Sequence, residues 1–174
     1  PAAFLCALLN SQPMGFYGAH TLVEDGKRHG VEVRPPCVIR SARESTLEPG
    51  SRAHAESWWQ SCQAQEKSHT PWADEVEGRE TFGRPVQPVV RLGLQEVSRM
   101  SDAVADRIVR ARAQRPFRSV ADCVVRADIP KDLALHLAAA GAFGGLGLDR
   151  REAMWSAMSV DRGLPLLAGV SNEP

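Results

Sequence analysis

Apolar positions along this chain recur with helical spacing at both ends and alternate in only a few short stretches. Residues 1–11 read as a helix, with Phe4 above Leu8 and Leu5 above Leu9, and with Pro1 suited to a first-turn position. Ser11-Gln12-Pro13-Met14-Gly15 breaks it. A second helix is predicted from about Ala19 to His29, with Leu22 and Val23 inward, Lys27 and Arg28 near its negative end and Gly30 as the residue that ends it. Gly26 inside that helix costs about 1 kcal/mol relative to alanine. Val31 to Arg34 alternates and reads as a strand, Pro35-Pro36 interrupts it, and Cys37-Val38-Ile39 reads as a short extended resumption.

The longest ordered pattern runs from Val89 to Arg118. The apolar stretch Val89–Leu94 is expected to join the sheet, followed by a half-helix over Gln95–Ser98 and a tight connection at Arg99-Met100-Ser101. A helix is then predicted over Asp102–Gln114. Val104, Ile108 and Ala111 fall on one face, with Ala105 and Val109 beside them, Ser101 caps it and Asp102 lies near its positive end. Ser119 is expected to cap a helix over Val120–Val125, with the Phe117 ring near it, and Pro130 to open one over Lys131–Ala140 with Leu133, Leu137 and Ala140 in register. Gly141-Ala142-Phe143 reads as a reversal needing the left-handed backbone that glycine tolerates. Asp149 is then expected to cap a last helix over Arg150–Met158, with Met154, Trp155 and Met158 turned to the core. The fold class that follows is mainly α with a small β-sheet.

Composition adds one contrast. The formal net charge of the 174 residues is zero, so nothing global demands a polyanion. Between Arg91 and Arg118, however, seven arginines stand against three acids, a local excess of four. The four cysteines form no C-x-x-C and read as reduced thiols of a cytoplasmic protein. No stretch is long and apolar enough to span a bilayer, and the apolar start has no basic residues of a signal peptide. The chain has no initiator methionine there and reads as a piece of something longer. Residues 49–88, rich in Gln, Glu, Ser, Pro and His, read as a partly flexible insertion, with a helix possible over Ala53–Lys67. Trp58, Trp59 and Trp72 there read as cover for the insertion's own small core, with a docking patch as the alternative. Cys62 and His69 are two ligands, too few for a closed zinc site.

Two short helices joined by a tight turn, with arginines radiating from the second, resemble a helix-hairpin-helix unit. In such a unit the N–H groups at the helix start and the arginine forks hold phosphate oxygens. An amphipathic helix with a solvated arginine face is the plainer reading of the same residues, and on this stretch alone both stand. Ser119–Met158 resembles a second such unit.

The ordered set of segments also resembles a family. Pro1-Ala2-Ala3-Phe4, Ala7-Leu8-Leu9-Asn10, Arg28-His29-Gly30-Val31-Glu32-Val33 and Pro35-Pro36 look like the C-terminal fingers region of bacterial C-family DNA polymerases, the polymerase III alpha subunits. Thr46-Leu47-Glu48-Pro49 resembles that family's strand after its double proline. Arg91-Leu92-Gly93-Leu94, Pro116-Phe117, Ala140-Gly141-Ala142-Phe143, Leu146-Gly147 and Arg150-Arg151-Glu152-Ala153-Met154-Trp155 continue the likeness. Gln12-Pro13-Met14-Gly15-Phe16-Tyr17 is more similar to the error-prone, translesion branch.

The resemblance implies residues 1–48 as the end of the fingers and 49–88 as the insertion. It implies 89–159 as a tandem helix-hairpin-helix DNA-binding region and 160–174 as a frayed tail. It implies duplex DNA, the template–primer, held through phosphates by Arg99, Met100, Ser101, Arg107, Arg110, Arg112, Gly141, Arg150 and Arg151, the stem of Arg112 being a candidate for core packing instead. It also implies partners among the mutagenesis-cassette proteins and the sliding clamp. One departure stands out: the family's first hairpin carries a glycine–apolar–glycine turn, and here the matching residues are Arg99-Met100-Ser101. No Asp-x-Asp pair of the kind that holds catalytic metals occurs, so no catalytic residue, metal ligand or cofactor site is expected in this segment. The Mg2+ that the resemblance implies belongs to the parent's palm. A free-standing helix-hairpin-helix module and a protein-interaction scaffold remain the alternative readings.

Overall fold

The computed structural model describes residues 1–15, 17–50 and 88–160. The 49–88 insertion, with its tryptophans, Cys62 and His69, and the tail beyond Val160 thus lie almost wholly outside the described residues. Among the described residues the fold is mainly helical with a small three-stranded sheet, divided between two compact units.

The first unit comprises Pro1–Arg34 and Ser45–Arg91. Helix α1 (Ala2–Asn10) packs on helix α2 (Ala19–Arg28). Ala2, Leu5, Cys6 and Leu9 of α1 are buried, and Phe4 points out. The mid-helix Gly26 has a packing reason that overrides its helix cost. A Cβ at that position would stand 2.5 Å from a methyl of Leu5, so any larger residue there would push the Leu5 side chain aside. The sheet has β3 (Val89–Arg91) at its centre, parallel to β1 (Val33–Arg34) and antiparallel to β2 (Thr46–Glu48). Val89 and Val90 are buried, as befits a central strand covered on both faces. Arg34 and Arg91 are register partners. The Glu48 carboxylate settles their repulsion, taking 3.0 Å bonds from Nε and Nη2 of Arg91 and a 2.7 Å bond from Nη1 of Arg34. Those bonds, Arg91's first, hold Glu48 down at a pKa of about 2.

The second unit comprises Pro35–Glu44 and the chain from Leu92 onward. Leu94–Glu96 forms one 3₁₀ turn. Helices α3 (Asp102–Gln114), α4 (Val120–Arg126), α5 (Lys131–Ala139) and α6 (Arg150–Ser159) follow, with a second 3₁₀ turn at Gly144–Leu146. Ser101, Ser119 and Asp149 cap α3, α4 and α6 with their side chains, as the residue pattern predicts. The core gathers Leu94, Ile108, Phe117, Val124, Leu137, Phe143 and, from α6, Ala153.

Four local expectations are corrected. Strand pairing is shorter than the alternating segments suggest. It stops at Arg34 and Arg91, and a single 3₁₀ turn over Leu94–Glu96 stands where a half-helix over Gln95–Ser98 is expected. Cys37-Val38-Ile39 is no strand. It belongs to a turn in which Arg40 and Ser41 donate back to the Cys37 carbonyl, and Val38 is fully buried in the helical core. Finally, α6 turns its small residues inward. Ala153 and Ala157 are buried, whereas Trp155 is 64% exposed and Met158 43%. The small face lets α6 pack closely against α5 and α4, and Met154 is only partly buried.

Candidate nucleic-acid interface

Each half of the second unit contains one reversal followed by a helix. In the first, the Met100 N–H donates to the Val97 carbonyl at 3.0 Å, closing a four-residue turn. Arg99 occupies its third position with φ +64°. A positive φ at that position alone marks a type II turn, which asks for glycine. Here an arginine carries the conformation that such a turn asks of a glycine. Met100 stays partly buried against the core as the anchor of the turn. Ser101 then caps α3, its hydroxyl accepting from the Val104 N–H at 3.4 Å.

In the second half, α5 ends in a Schellman motif. The Ala142 N–H reaches the Leu137 carbonyl and the Gly141 N–H the Ala138 carbonyl, both at 2.9 Å, with Gly141 at φ +74°. A Cβ at Gly141 would meet Arg150 Nε at 3.4 Å, so the Arg150 side chain lies across this hairpin. Ala142 and Phe143 are fully buried and pin the reversal to the core. The start of α6 is closed by a reciprocal capping box. The Asp149 carboxylate accepts from the Glu152 N–H at 2.7 Å, and the Glu152 carboxylate accepts from the Asp149 N–H at 2.9 Å.

The arginines that radiate in the sequence meet different fates. The Arg107 guanidinium donates at 2.9 Å to the carbonyls of Ala127 and Asp128, bracing the end of α4 where Asp128 itself takes a left-handed φ of +47°. Arg112 donates to the carbonyls of Val38 and Ser41 and is half-buried, and desolvation lowers its pKa. These two side chains stitch the fold together. Arg110 is exposed, with Asp106 one turn away at 4.0 Å. Arg99 is exposed and reaches Asp132 in the first turn of α5 at 3.5 Å. Arg115 and Arg126 share the Asp122 carboxylate, and Arg126 also bonds the Ala111 carbonyl and lies 5.1 Å over the Phe117 ring. Arg150 and Arg151, at the start of α6, are exposed and have no acidic partner among the described residues.

The pairings of two acidic residues beside this surface carry no signal in the sequence pattern. Asp132 faces Arg99, and Asp102 pairs with Arg43 at 3.7 Å, an arginine brought to α3 by the buried turn before it. Among the described residues no group of three or more His, Cys, Asp or Glu is placed to hold a metal ion, and no helix is long and apolar enough to cross a membrane. The described cysteines, Cys6, Cys37 and Cys123, are free thiols and buried, and burial pushes Cys123 up to about 12.

A family model described as a helix-hairpin-helix motif matches residues 30–153. Among curated proteins, the chain is similar to an error-prone DNA polymerase of Anaeromyxobacter sp. (strain K), 43% identical over 176 residues, covering 98% of this chain and 13% of the relative. It is similar to the error-prone DNA polymerase of Methylococcus capsulatus, 42% identical over 168 residues and covering 97% of this chain and 15% of the relative. It is also similar to that of Xanthomonas oryzae pv. oryzae, 38% identical over 178 residues and covering 99% of this chain and 14% of the relative. The chain therefore spans about one seventh of the length of these relatives.

Proposed function

The chain belongs to the helix-hairpin-helix family, and from that premise we propose that it is part of an error-prone DNA polymerase in which this segment holds template–primer duplex through its phosphates, without reading sequence. The observation that carries the reading is the second hairpin. A left-handed Gly141, an arginine laid across it and a second exposed arginine beside it present two fork-shaped donors on a rigid support. Arg99 and Arg110 extend the surface from the first half, and Met100 and Ser101 fix the turn there. Arg107 and Arg112 contribute by holding the support in shape. A phosphate nearing α6 meets the carboxylates of Asp149 and Glu152 at the helix start, so contact runs through the arginine side chains rather than through the helix N–H groups.

In this reading the parent carries out DNA-directed synthesis across damage. Its paired carboxylates and Mg2+ act outside this segment, which by itself has no nucleotidyl-transfer activity. The mutagenesis-cassette proteins and the sliding clamp are the protein partners proposed for the parent, in the cytoplasm.

The test is fluorescence anisotropy of a labelled duplex against a salt series. Replacing both Arg150 and Arg151 by alanine is expected to flatten the log–log salt slope by about one to two units, with equal loss on a scrambled duplex. Arg107→Ala is expected to lower stability and leave the slope unchanged. An Arg150→Ala/Arg151→Ala variant with unaltered helix content, affinity and slope would remove the second hairpin from the interface.

A further inference from the structure

We propose that Asp132 tempers duplex affinity by holding Arg99, so that an incoming phosphate competes with a carboxylate of the protein itself. This rests on the reading that the hairpins contact duplex phosphates.

The geometry is specific to these two residues. Arg99 sits at the tip of the first hairpin, its backbone fixed by the closed turn and its left-handed φ, and its guanidinium is 69% exposed. Asp132 lies in the first turn of α5, where the helix dipole stabilises its negative charge, and it is 59% exposed. Their charged atoms are 3.5 Å apart. The pair thus ties the first hairpin to the helix that leads into the second, and it occupies the side chain that stands where the family has a glycine. Both groups are wet, so the hold is weak and exchangeable. A phosphate oxygen offers the same guanidinium a second acceptor of like charge and matching fork geometry. Removing the carboxylate leaves Arg99 with one acceptor to choose.

The Arg110–Asp106 pair does not work this way. Arg110 and Asp106 lie one turn apart on the same helix at 4.0 Å, a contact within one element that leaves the hairpin untouched.

The experiment is a double-mutant cycle on the 174-residue chain, read by duplex anisotropy at several salt concentrations. Asp132→Asn is expected to tighten binding about twofold to fivefold, the range that an exposed pair of this kind supports. Asp132→Glu, which keeps a carboxylate within reach, is expected to restore the original affinity. In an Arg99→Ala background the gain from Asp132→Asn is expected to vanish. A gain of equal size with and without Arg99 would overturn the proposal, because Asp132 would then act only by general repulsion of DNA. An unchanged or weaker affinity for Asp132→Asn would also overturn it, since a carboxylate that serves only the α5 dipole costs stability when lost and gives no tighter binding. Arg99→Ala separates this failure from that of the wider reading. If it weakens binding while Asp132→Asn does nothing, the hairpin contacts DNA and the tempering idea alone fails. If neither change matters, the first hairpin makes no contact, the tempering idea falls, and the wider reading rests on Arg150 and Arg151 of the second hairpin.

Discussion

The two hairpins of the second unit solve the same backbone problem with different residues. Each needs one left-handed position at its reversal. The second assigns it to Gly141 at φ +74°, the first to Arg99 at φ +64°. For an L residue with a long side chain that conformation costs about 1–2 kcal/mol. The first hairpin is therefore strained where the second is relaxed. The anchors differ in the same sense, with Phe143 fully buried and Met100 only partly so. The electrostatics run the other way. The first helix start holds a neutral serine cap, with Asp102 beside Arg43, whereas the second is closed by two carboxylates in a capping box. What the difference teaches is that either residue can hold a left-handed reversal, and the choice sets what the turn presents, bare backbone or a guanidinium.

The anchors offer the strongest way to break this comparison. Phe143→Ala is expected to cost about 3–5 kcal/mol, the range for emptying a fully buried aromatic site. Met100→Ala is expected to cost about 1–2 kcal/mol, since a partly buried thioether leaves a smaller void that solvent and neighbours refill. Urea unfolding followed by helix content measures both. Equal losses would mean that the first hairpin is as firmly seated as the second.

The backbone itself gives the next effect, with opposite signs at the two sites. Gly141→Ala forces a Cβ into a left-handed position beside Arg150 and is expected to destabilise by about 1–2 kcal/mol. Arg99→Gly removes the same kind of strain but adds freedom to the unfolded chain, and it is expected to stabilise by up to about 1 kcal/mol. Thermal unfolding of the two variants tests the pair. A destabilised Arg99→Gly would show that the Arg99 side chain contributes more through Asp132 than its backbone costs.

How much of this was legible in the chain follows the distance over which each residue acts. The caps at Ser101, Ser119 and Asp149 and the stops at Gly30 and Gly141 were readable because each bonds within a few residues of itself, and they place the helix ends correctly. The burial of α3 was readable from its period. The fates of its arginines were not. The local excess of four counts only neighbours in sequence, whereas Arg107, Arg112 and Arg99 find acceptors at Ala127, at Val38 with Ser41, and at Asp132. Cys37-Val38-Ile39 failed for the same reason. Its β-branched residues look extended, but Val38 is drawn into the helical core, and its N–H donates to the Ala142 carbonyl at 2.9 Å. On α6, large apolar side chains suggested the inward face, but close helix packing selected alanines.

The smallest expected effect on stability bears most directly on what the first hairpin has lost. Ser101→Gly restores the second glycine that the resemblance leads one to expect there. Glycine is itself an acceptable N-cap, and the Ser101 hydroxyl bond is long at 3.4 Å, so the substitution is expected to cost only about a few tenths of a kcal/mol. Its interest lies in binding. With Arg99→Gly in the same chain, both positions that now carry side chains become bare, and the N–H groups at the start of α3 become open to a phosphate oxygen at close range. The double variant then exchanges a guanidinium contact for a backbone contact. Its duplex affinity is expected to stay within about threefold of the original while the salt slope falls by about one unit, because a neutral N–H releases no counterion. Anisotropy across a salt series separates the possibilities. If the double variant loses as much affinity as Arg99→Ala, the turn cannot take a phosphate by its backbone. The arginine would then be the whole of the first hairpin's contribution. If affinity and slope are both unchanged, Arg99 never touches DNA, and the contact belongs to the second hairpin alone.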